Sequence, residues 1–258
     1  MDDYSLLLQV GQNKFTFFQK TPMKFFVKSI LAGIYLGVAM SLSLALGGII
    51  ATINPNLAKI AFAMFFGLTF VLIIFLNGEL FTGNCLTTIF PIYNKKQSLS
   101  SLLKMWGNCL LGNAVGISIY SVLFIRSRAL STIIIPYLAN LVEAKQHFTL
   151  ESLLIKSILC NFIVCIATYV ALKIKEDLAK TFIMLVVIMT FVVCGFDHCI
   201  ANIGLFLMQA MSGGTALSGS LVFQNILFSI VGNVLGGSVM MAAPLYFVLC
   251  PTNLNMRR

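Results

Sequence analysis

Two apolar runs in this chain are too long for the medium they suit. Residues 58–90 and 179–210 each run past 30 positions, about 48 Å as one straight helix at about 1.5 Å per residue. A membrane offers a hydrocarbon thickness of about 30 Å, and tilt absorbs only part of the excess. Each run also carries a polar, glycine-containing interruption. In the first it is Asn77-Gly78-Glu79-Leu80-Phe81-Thr82-Gly83-Asn84; in the second it is Cys194-Gly195-Phe196-Asp197-His198-Cys199-Ile200-Ala201-Asn202. This pattern predicts two broken helices with non-helical backbone at mid-membrane. Such backbone is tolerated only where protein buries it or a wet cavity meets it.

The other apolar runs fall at 26–50, 104–125, 153–172 and 221–249, making six in all. A soluble domain of this size needs about a quarter of its residues charged, whereas here 10% are charged and 59% hydrophobic. The expectation is an all-α integral membrane protein with a 26–250 transmembrane domain. Residues 1–25 are mixed polar and aromatic; they read as a cytoplasmic amphipathic segment, with no sign of a signal peptide. With the N-terminus inside, the inner segments hold Lys14, Lys20, Lys24, Lys28, Lys95, Lys96, Lys104, Lys173, Lys175, Lys180, Arg257 and Arg258. The outer segments hold Lys59, Arg126, Arg128, Lys145 and Lys156. The inner excess puts both termini in the cytoplasm, with 251–258 as a short tail. The net charge of +9 is therefore mainly a topology signal. No basic patch on a soluble module points to nucleic acid.

The chain also repeats itself weakly. Gly78…Asn84 has a counterpart in Gly195…Asn202, and Gly112-Asn113-x-x-Gly116 in Gly232-Asn233-x-x-Gly236, separated by 117 to 120 positions. Three spans per half is an odd number, so the second half is inserted upside down. Inverted repeats with paired broken helices point to a transport path between the halves. Gly33-x-x-x-Gly37 and the two Gly-Asn-x-x-Gly segments permit close helix approach. Asn113 and Asn233 either glue helices together or line the lumen.

Three ionisable groups lie inside the interruptions. Glu79 and Asp197 read as structural, a carboxylate at a helix break being able to satisfy freed backbone N–H groups. A lone histidine is more often a satisfied core residue. His198, however, sits at the break of the fifth helix, opposite Thr82 in the second, and titrates near neutrality, which makes it a functional candidate. The seven cysteines form no C-x-x-C pair and lie mostly inside spans, where free cysteine is a small hydrophobe. No metal site is expected from them, and Asn54-Pro55-Asn56 reads as a turn rather than a pore motif.

Gly78-Glu79-Leu80-Phe81-Thr82-Gly83-Asn84, Gly195-Phe196-Asp197-His198-x-x-Ala201-Asn202 and the Gly-Asn-x-x-Gly pairs resemble the formate/nitrite transporter family, over essentially the whole chain. Asp197 departs from the glutamate usual before the family's histidine. The resemblance implies an aquaporin-like protomer of six transmembrane helices in two inverted three-helix repeats, assembled as a homopentamer in the cell membrane with one pore per subunit. It implies a substrate pathway of His198, Thr82, Lys145, Asn161, Asn202 and Asn233. Hydrophobic constrictions at Leu80, Phe81, Phe191 and Phe66 are implied as well. Gly78, Glu79, Gly83, Asn84, Gly195 and Asp197 shape the breaks.

These parts suggest permeation of small monovalent weak-acid anions. Formate is the first choice, with nitrite, hydrosulfide or lactate as alternatives. Lys145 would concentrate the anion, a dry constriction would penalise its charged form, and His198 would exchange a proton with it. No G-x-x-x-x-G-K-[ST] motif calls for ATP, and neither a cofactor nor enzymatic catalysis is expected. The rivals are a haem- or metal-binding membrane redox protein and a channel for water or glycerol.

Overall fold

The computed structural model describes residues 2–213 and 216–251, which leaves Arg257 and Arg258 of the expected tail outside the described residues. Every regular element among those residues is a helix, and they contain no strand. In chain order the helices are α1 (Asp3–Lys20), α2 (Pro22–Ala51), α3 (Pro55–Phe66), α4 (Leu68–Phe75), α5 (Phe81–Thr87), α6 (Phe90–Tyr93) and α7 (Leu99–Arg126). There follow α8 (Ser131–Ala144), α9 (Leu150–Lys173), α10 (Asp177–Val193), α11 (Cys199–Ser212), α12 (Gly219–Val234), a π-helical stretch at Leu235–Ala242, and α13 (Ala243–Leu249).

The helix starts are written locally. Asn54, read as part of a turn, caps α3: its Oδ1 accepts from the Asn56 and Leu57 N–H groups, and Pro55 occupies the first turn, where no N–H is needed. Ser98 and Thr149 cap α7 and α9 in the same way. Among the described residues five segments are long and apolar enough to cross a membrane: Pro22–Ala51, Pro55–Phe75, Leu99–Arg126, Leu150–Lys173 and Gly219–Leu249. Their outward faces carry bare hydrophobic side chains. Leu111, Leu123 and Phe223 are each more than 60% exposed, a surface that lipid accepts and water does not.

Close packing explains the glycines. A Cβ on Gly116 would lie 1.9 Å from the Ile30 carbonyl oxygen, and one on Gly33 would lie 2.2 Å from that of Asn113, so α2 and α7 meet backbone to backbone. The π-helical stretch that continues α12 repeats this contact with α9: a Cβ on Gly236 would lie 2.1 Å from the Ile158 carbonyl oxygen. Small residues at such crossings let van der Waals packing replace the hydrophobic effect, which is absent between helices in lipid.

Both interrupted runs end their first helix identically. Asn77 (φ 54°) and Gly195 (φ 70°) are left-handed. Their successors, Gly78 and Phe196, donate back to the carbonyls of Ile73 and Phe191 at 2.8 and 3.0 Å. This six-to-one bond is the Schellman stop. The left-handed counterpart of Gly195 is therefore Asn77. Gly78 has a different reason: a Cβ there would press on Ala32 at 3.1 Å. The chain resumes helix at Phe81 and at Cys199.

Two further elements complete the frame. α1 lies against α2, α5, α6 and α13 with Leu7 and Phe15 fully buried. Its N-terminal end is tied by Asp3 to Lys173 (2.6 Å) and Tyr169 (2.5 Å), and by the Tyr4 hydroxyl to Asn94. α8, in the loop that the sequence reading left without a helix, packs on α2 and α11.

Candidate functional site at the two helix breaks

A broken helix frees backbone donors and acceptors, and here two asparagines from neighbouring helices take them. Asn113 of α7 accepts from the Phe81 N–H (2.9 Å) and donates to the carbonyls of Ser29 (2.7 Å) and Glu79 (2.8 Å). Asn233 of α12 accepts from the Cys199 N–H (2.9 Å) and donates to the carbonyls of Ser157 (2.8 Å) and Asp197 (3.0 Å). Each amide thus bonds three backbone groups on two chain segments. Both residues are fully buried, and leaving such groups unpaired would cost about 1–3 kcal/mol each. Asn233, expected on the substrate pathway, lines neither cavity described below and serves as a clamp. Asn161 behaves similarly: its amide donates to the Asn233 carbonyl at 2.5 Å.

This arrangement also corrects the reading of the carboxylates. Among the described residues Glu79 and Asp197 accept from no freed N–H group; they form buried ion pairs. Glu79 Oε2 accepts from Lys14 Nζ (2.5 Å) and Asn84 Nδ2 (3.2 Å). Asp197 Oδ1 accepts from Lys145 Nζ (2.6 Å) and Asn202 Nδ2 (2.9 Å). Asn225 extends the second network, receiving the Asn202 amide at 2.8 Å and donating to the Lys145 carbonyl at 3.1 Å. A buried pair repays its desolvation only when further hydrogen bonds complete it, which the asparagines do.

His198 and Thr82 meet between the breaks, with Thr82 Oγ1 3.0 Å from His198 Nε2. His198 Nδ1 accepts from the Ala201 N–H at 3.3 Å, so the ring caps α11. With Nδ1 accepting, the hydrogen-bond network assigns the neutral ring's proton to Nε2, where it points at Thr82 Oγ1. The Thr82 hydroxyl hydrogen is then free to point elsewhere. By repeat position the counterpart of His198 is Leu80, not Thr82: both head their helices in extended conformation, at φ −100° and −104°.

Two cavities flank this contact. One, of about 310 Å³, lies on the α1 side and is lined by Lys14, Lys28, Phe70, Glu79, Leu80, Gly83 and Asn84 among others. The other, of about 490 Å³, lies on the α8 side and reaches Lys145, Phe66, Phe191, Asp197, His198 and Asn202. Phe191 stacks on the His198 ring (centroids 6.1 Å apart) and meets Phe66 edge-on at 6.0 Å. Of the expected constriction residues, Leu80 faces the α1-side cavity, and Phe66 and Phe191 the α8-side cavity. Phe81 lines neither and packs edge-on against Trp106 at 6.1 Å. Thr82 is fully buried in the seam.

Sequence reasoning missed Lys14 and Asn225. Lys14 sits in α1, outside the repeated spans, so no repeat register leads to it. Asn225 lies in α12 one turn before Ser229, on the face that Asn233 shares, and helical spacing back from Asn233 was the available signal. Among the described residues no group of three or more His, Cys, Asp or Glu side chains is arranged to hold a metal.

A family model described as "Formate/nitrite transporter" matches residues 4–247. A formate-nitrite transporter from Entamoeba histolytica is 29% identical over 251 residues, covering 96% of this chain and 69% of that protein. Among solved structures, an "FNT family ion channel" aligns with a TM-score of 0.87 at 24% identity, covering 96% of this chain and 98% of that one. A "Pentameric formate channel with formate bound" aligns with a TM-score of 0.77 at 21% identity, covering 89% and 98%. At these identities the two structures establish a shared fold.

Proposed function

The chain belongs to the formate/nitrite transporter family of multi-pass membrane proteins, and we propose that it is a pore for small monovalent weak-acid anions, with formate the first choice. Nitrite, hydrosulfide and lactate are the alternatives within the same pore. The observation that carries this reading is the Thr82–His198 hydrogen bond in a buried seam between two cavities, each with a lysine at its carboxylate. The assembly proposed is a homopentamer in the cell membrane. Each protomer has six spans in two inverted three-helix repeats, and both termini are cytoplasmic. The solved pentameric relative and the matched pairs of breaks, clamps and glycine crossings support that assembly.

The mechanism follows from where charge is welcome. In each cavity lysines outnumber carboxylates, which raises the local anion concentration. The cavities, of about 310 and 490 Å³, are roomier than any of these substrates needs, so selection falls to the seam. Leu80, Phe191 and the fully buried Thr82 offer an anion little hydration, and a bare charge there costs several kcal/mol. A weak-acid anion escapes that cost by taking up a proton. His198 Nε2–H donates to Thr82 Oγ1, leaving the Thr82 hydroxyl hydrogen to face the passing carboxylate. To protonate the anion, His198 first takes a proton at Nδ1 from water of the α8-side cavity that it lines, giving up the Ala201 N–H bond. Nε2–H then passes to Thr82 Oγ1 as the Thr82 hydroxyl proton passes to the anion, which leaves a neutral imidazole protonated at Nδ1. Residues 1–25 anchor the inner face in this scheme, and Lys14 brings α1 into the vestibule.

The test is flux of formate, nitrite, hydrosulfide and lactate into liposomes holding the purified protein, at two pH values. Formate is expected to move fastest, and faster at the lower pH. His198→Ala is expected to reduce formate flux about 100-fold, the scale of a lost proton donor, and to flatten the pH profile. An unchanged profile in that variant would sink the central-histidine mechanism. Wild-type protein that moves none of the four anions would sink the function.

A further inference from the structure

One tetrapeptide occurs twice in this chain, and its two copies lie in opposite mouths. Lys28-Ser29-Ile30-Leu31 in α2 and Lys156-Ser157-Ile158-Leu159 in α9 are identical and lie 128 positions apart. The surrounding structure treats them alike. Ser29 Oγ donates to the Phe25 carbonyl (2.9 Å) and Ser157 Oγ to the Leu153 carbonyl (2.7 Å). The Ser29 carbonyl takes the Asn113 amide (2.7 Å), and the Ser157 carbonyl takes the Asn233 amide (2.8 Å). The preceding lysine is therefore fixed in register with its helix break, and in α2 its own carbonyl also accepts from the Glu79 N–H at 3.2 Å.

The side chains then part company with the scaffold. Lys28 lines the α1-side cavity and Lys156 the α8-side cavity, and both are half-buried. Neither joins an ion pair among the described residues. The nearby carboxylates are already neutralised, Glu79 by Lys14 and Asp197 by Lys145. Lys28 and Lys156 are thus uncompensated positive charges, one per mouth, with exposed Lys59 adding a third cation on the α8 side. In the α1-side cavity the Thr87 hydroxyl is buried and finds no hydrogen-bond partner. An unsatisfied hydroxyl and a free ammonium in one cavity are the two groups that a small carboxylate would engage. Lys28 Nζ meanwhile rests 5.2 Å from the centroid of the Phe17 ring, a weaker partner that an anion can displace.

We propose that Lys28 and Lys156 are a repeat-related pair of capture sites for small monovalent carboxylates, one in each mouth of the pore. The proposal rests on the permeation reading above. Each captured anion waits beside an ion pair that is already satisfied, so that pair adds nothing to its hold and the anion is released readily toward the seam. The inner site, with Thr87 as second contact, holds it the more tightly.

The experiment is formate flux from each side separately, in liposomes whose protein orientation is fixed by one-sided proteolysis. Lys28→Gln is expected to raise the half-saturating concentration roughly 5-fold for passage starting on the α1 side and to leave the opposite value unchanged; Lys156→Gln is expected to do the converse. A passive pore cannot alter the equilibrium, so limiting permeability at low concentration falls by one factor in both directions, and half-saturation is the side-specific quantity. Lys28→Arg and Lys156→Arg are expected to restore wild-type values, and Thr87→Val to act as a milder Lys28→Gln. Equal effects from both sides, or none at low salt, would overturn the pairing. Acylation of lysines followed by mass spectrometry gives a readout without transport: formate is expected to slow labelling of Lys28 and Lys156 several-fold. Formate flux in the wild type without that protection overturns the capture sites alone, whereas absence of flux in the wild type overturns the permeation reading.

Discussion

The two breaks solve one backbone problem and pose two different chemical ones. In each, a left-handed residue stops the first helix, an asparagine from a distant helix clamps the gap, and a carboxylate takes a lysine. The equivalence holds at 118 positions for Asn77 and Gly195, Glu79 and Asp197, Phe81 and Cys199, and Asn84 and Asn202. It fails at both residues of the site: Leu80 in one half stands opposite His198 in the other, and Thr82 stands opposite Ile200. Leu80 leaves its helix without a side-chain cap, whereas His198 caps its own and turns Nε2 onto Thr82. The scaffold is thus matched between the two breaks, and the site arises where two positions differ. The lysines differ too: Lys145 ends α8, whereas Lys14 rides on α1, an N-terminal helix outside the repeated spans that docks through Leu7 and Phe15.

The clamps give the largest expected effect and test the symmetry directly. Asn113→Ala and Asn233→Ala should each orphan three buried backbone groups, at about 1–3 kcal/mol apiece. Matching losses of thermal stability in detergent are expected. A large loss in one and a negligible loss in the other would break the equivalence of the halves.

The ion pairs should separate the halves. Lys145→Gln leaves Asp197 buried and unpaired, which costs about 3 kcal/mol, and Asp197→Asn in the same protein should recover most of it. Lys14→Gln should cost less, because α1 can lift and let water reach Glu79. Its signature is faster proteolysis of residues 3–20, and equal stability losses for the two variants would refute the distinction.

A smaller contrast lies in the left-handed stops. Gly195→Ala places a Cβ where φ is 70° and should cost about 1 kcal/mol, although no atom lies near enough to clash. Asn77→Gly should be neutral within a few tenths, since asparagine already tolerates that conformation.

The smallest effect concerns the α1 tether and its pH dependence. Lys173 and Tyr169 donate to Asp3 and hold its carboxyl below the usual carboxylate range. A depressed folded-state pKa means that the tether contributes above the unfolded value of about 3.9. Its contribution is lost as pH falls through the lower, folded value. Proteolysis of α1 should therefore accelerate only in strong acid, and Asp3→Asn should remove that acid dependence.

The sequence by itself determined the solvent, the places where the helices break and the close crossings. Hydropathy, run length and glycine spacing are local properties, and each is imposed by lipid or by backbone sterics within one helix turn. It also displayed the polar residues of both breaks, Glu79, Thr82, Asp197 and His198, because an ionisable group in an apolar run is conspicuous wherever it folds. Their partners were decided by tertiary structure alone. Glu79 finds Lys14, Asp197 finds Lys145, and the freed backbone finds Asn113 and Asn233 rather than the neighbouring carboxylates. Each partner comes from another helix, tens of positions away in sequence, and no periodicity encodes which face it shares. A buried charge or a freed amide must be satisfied by something, and only packing decides by what.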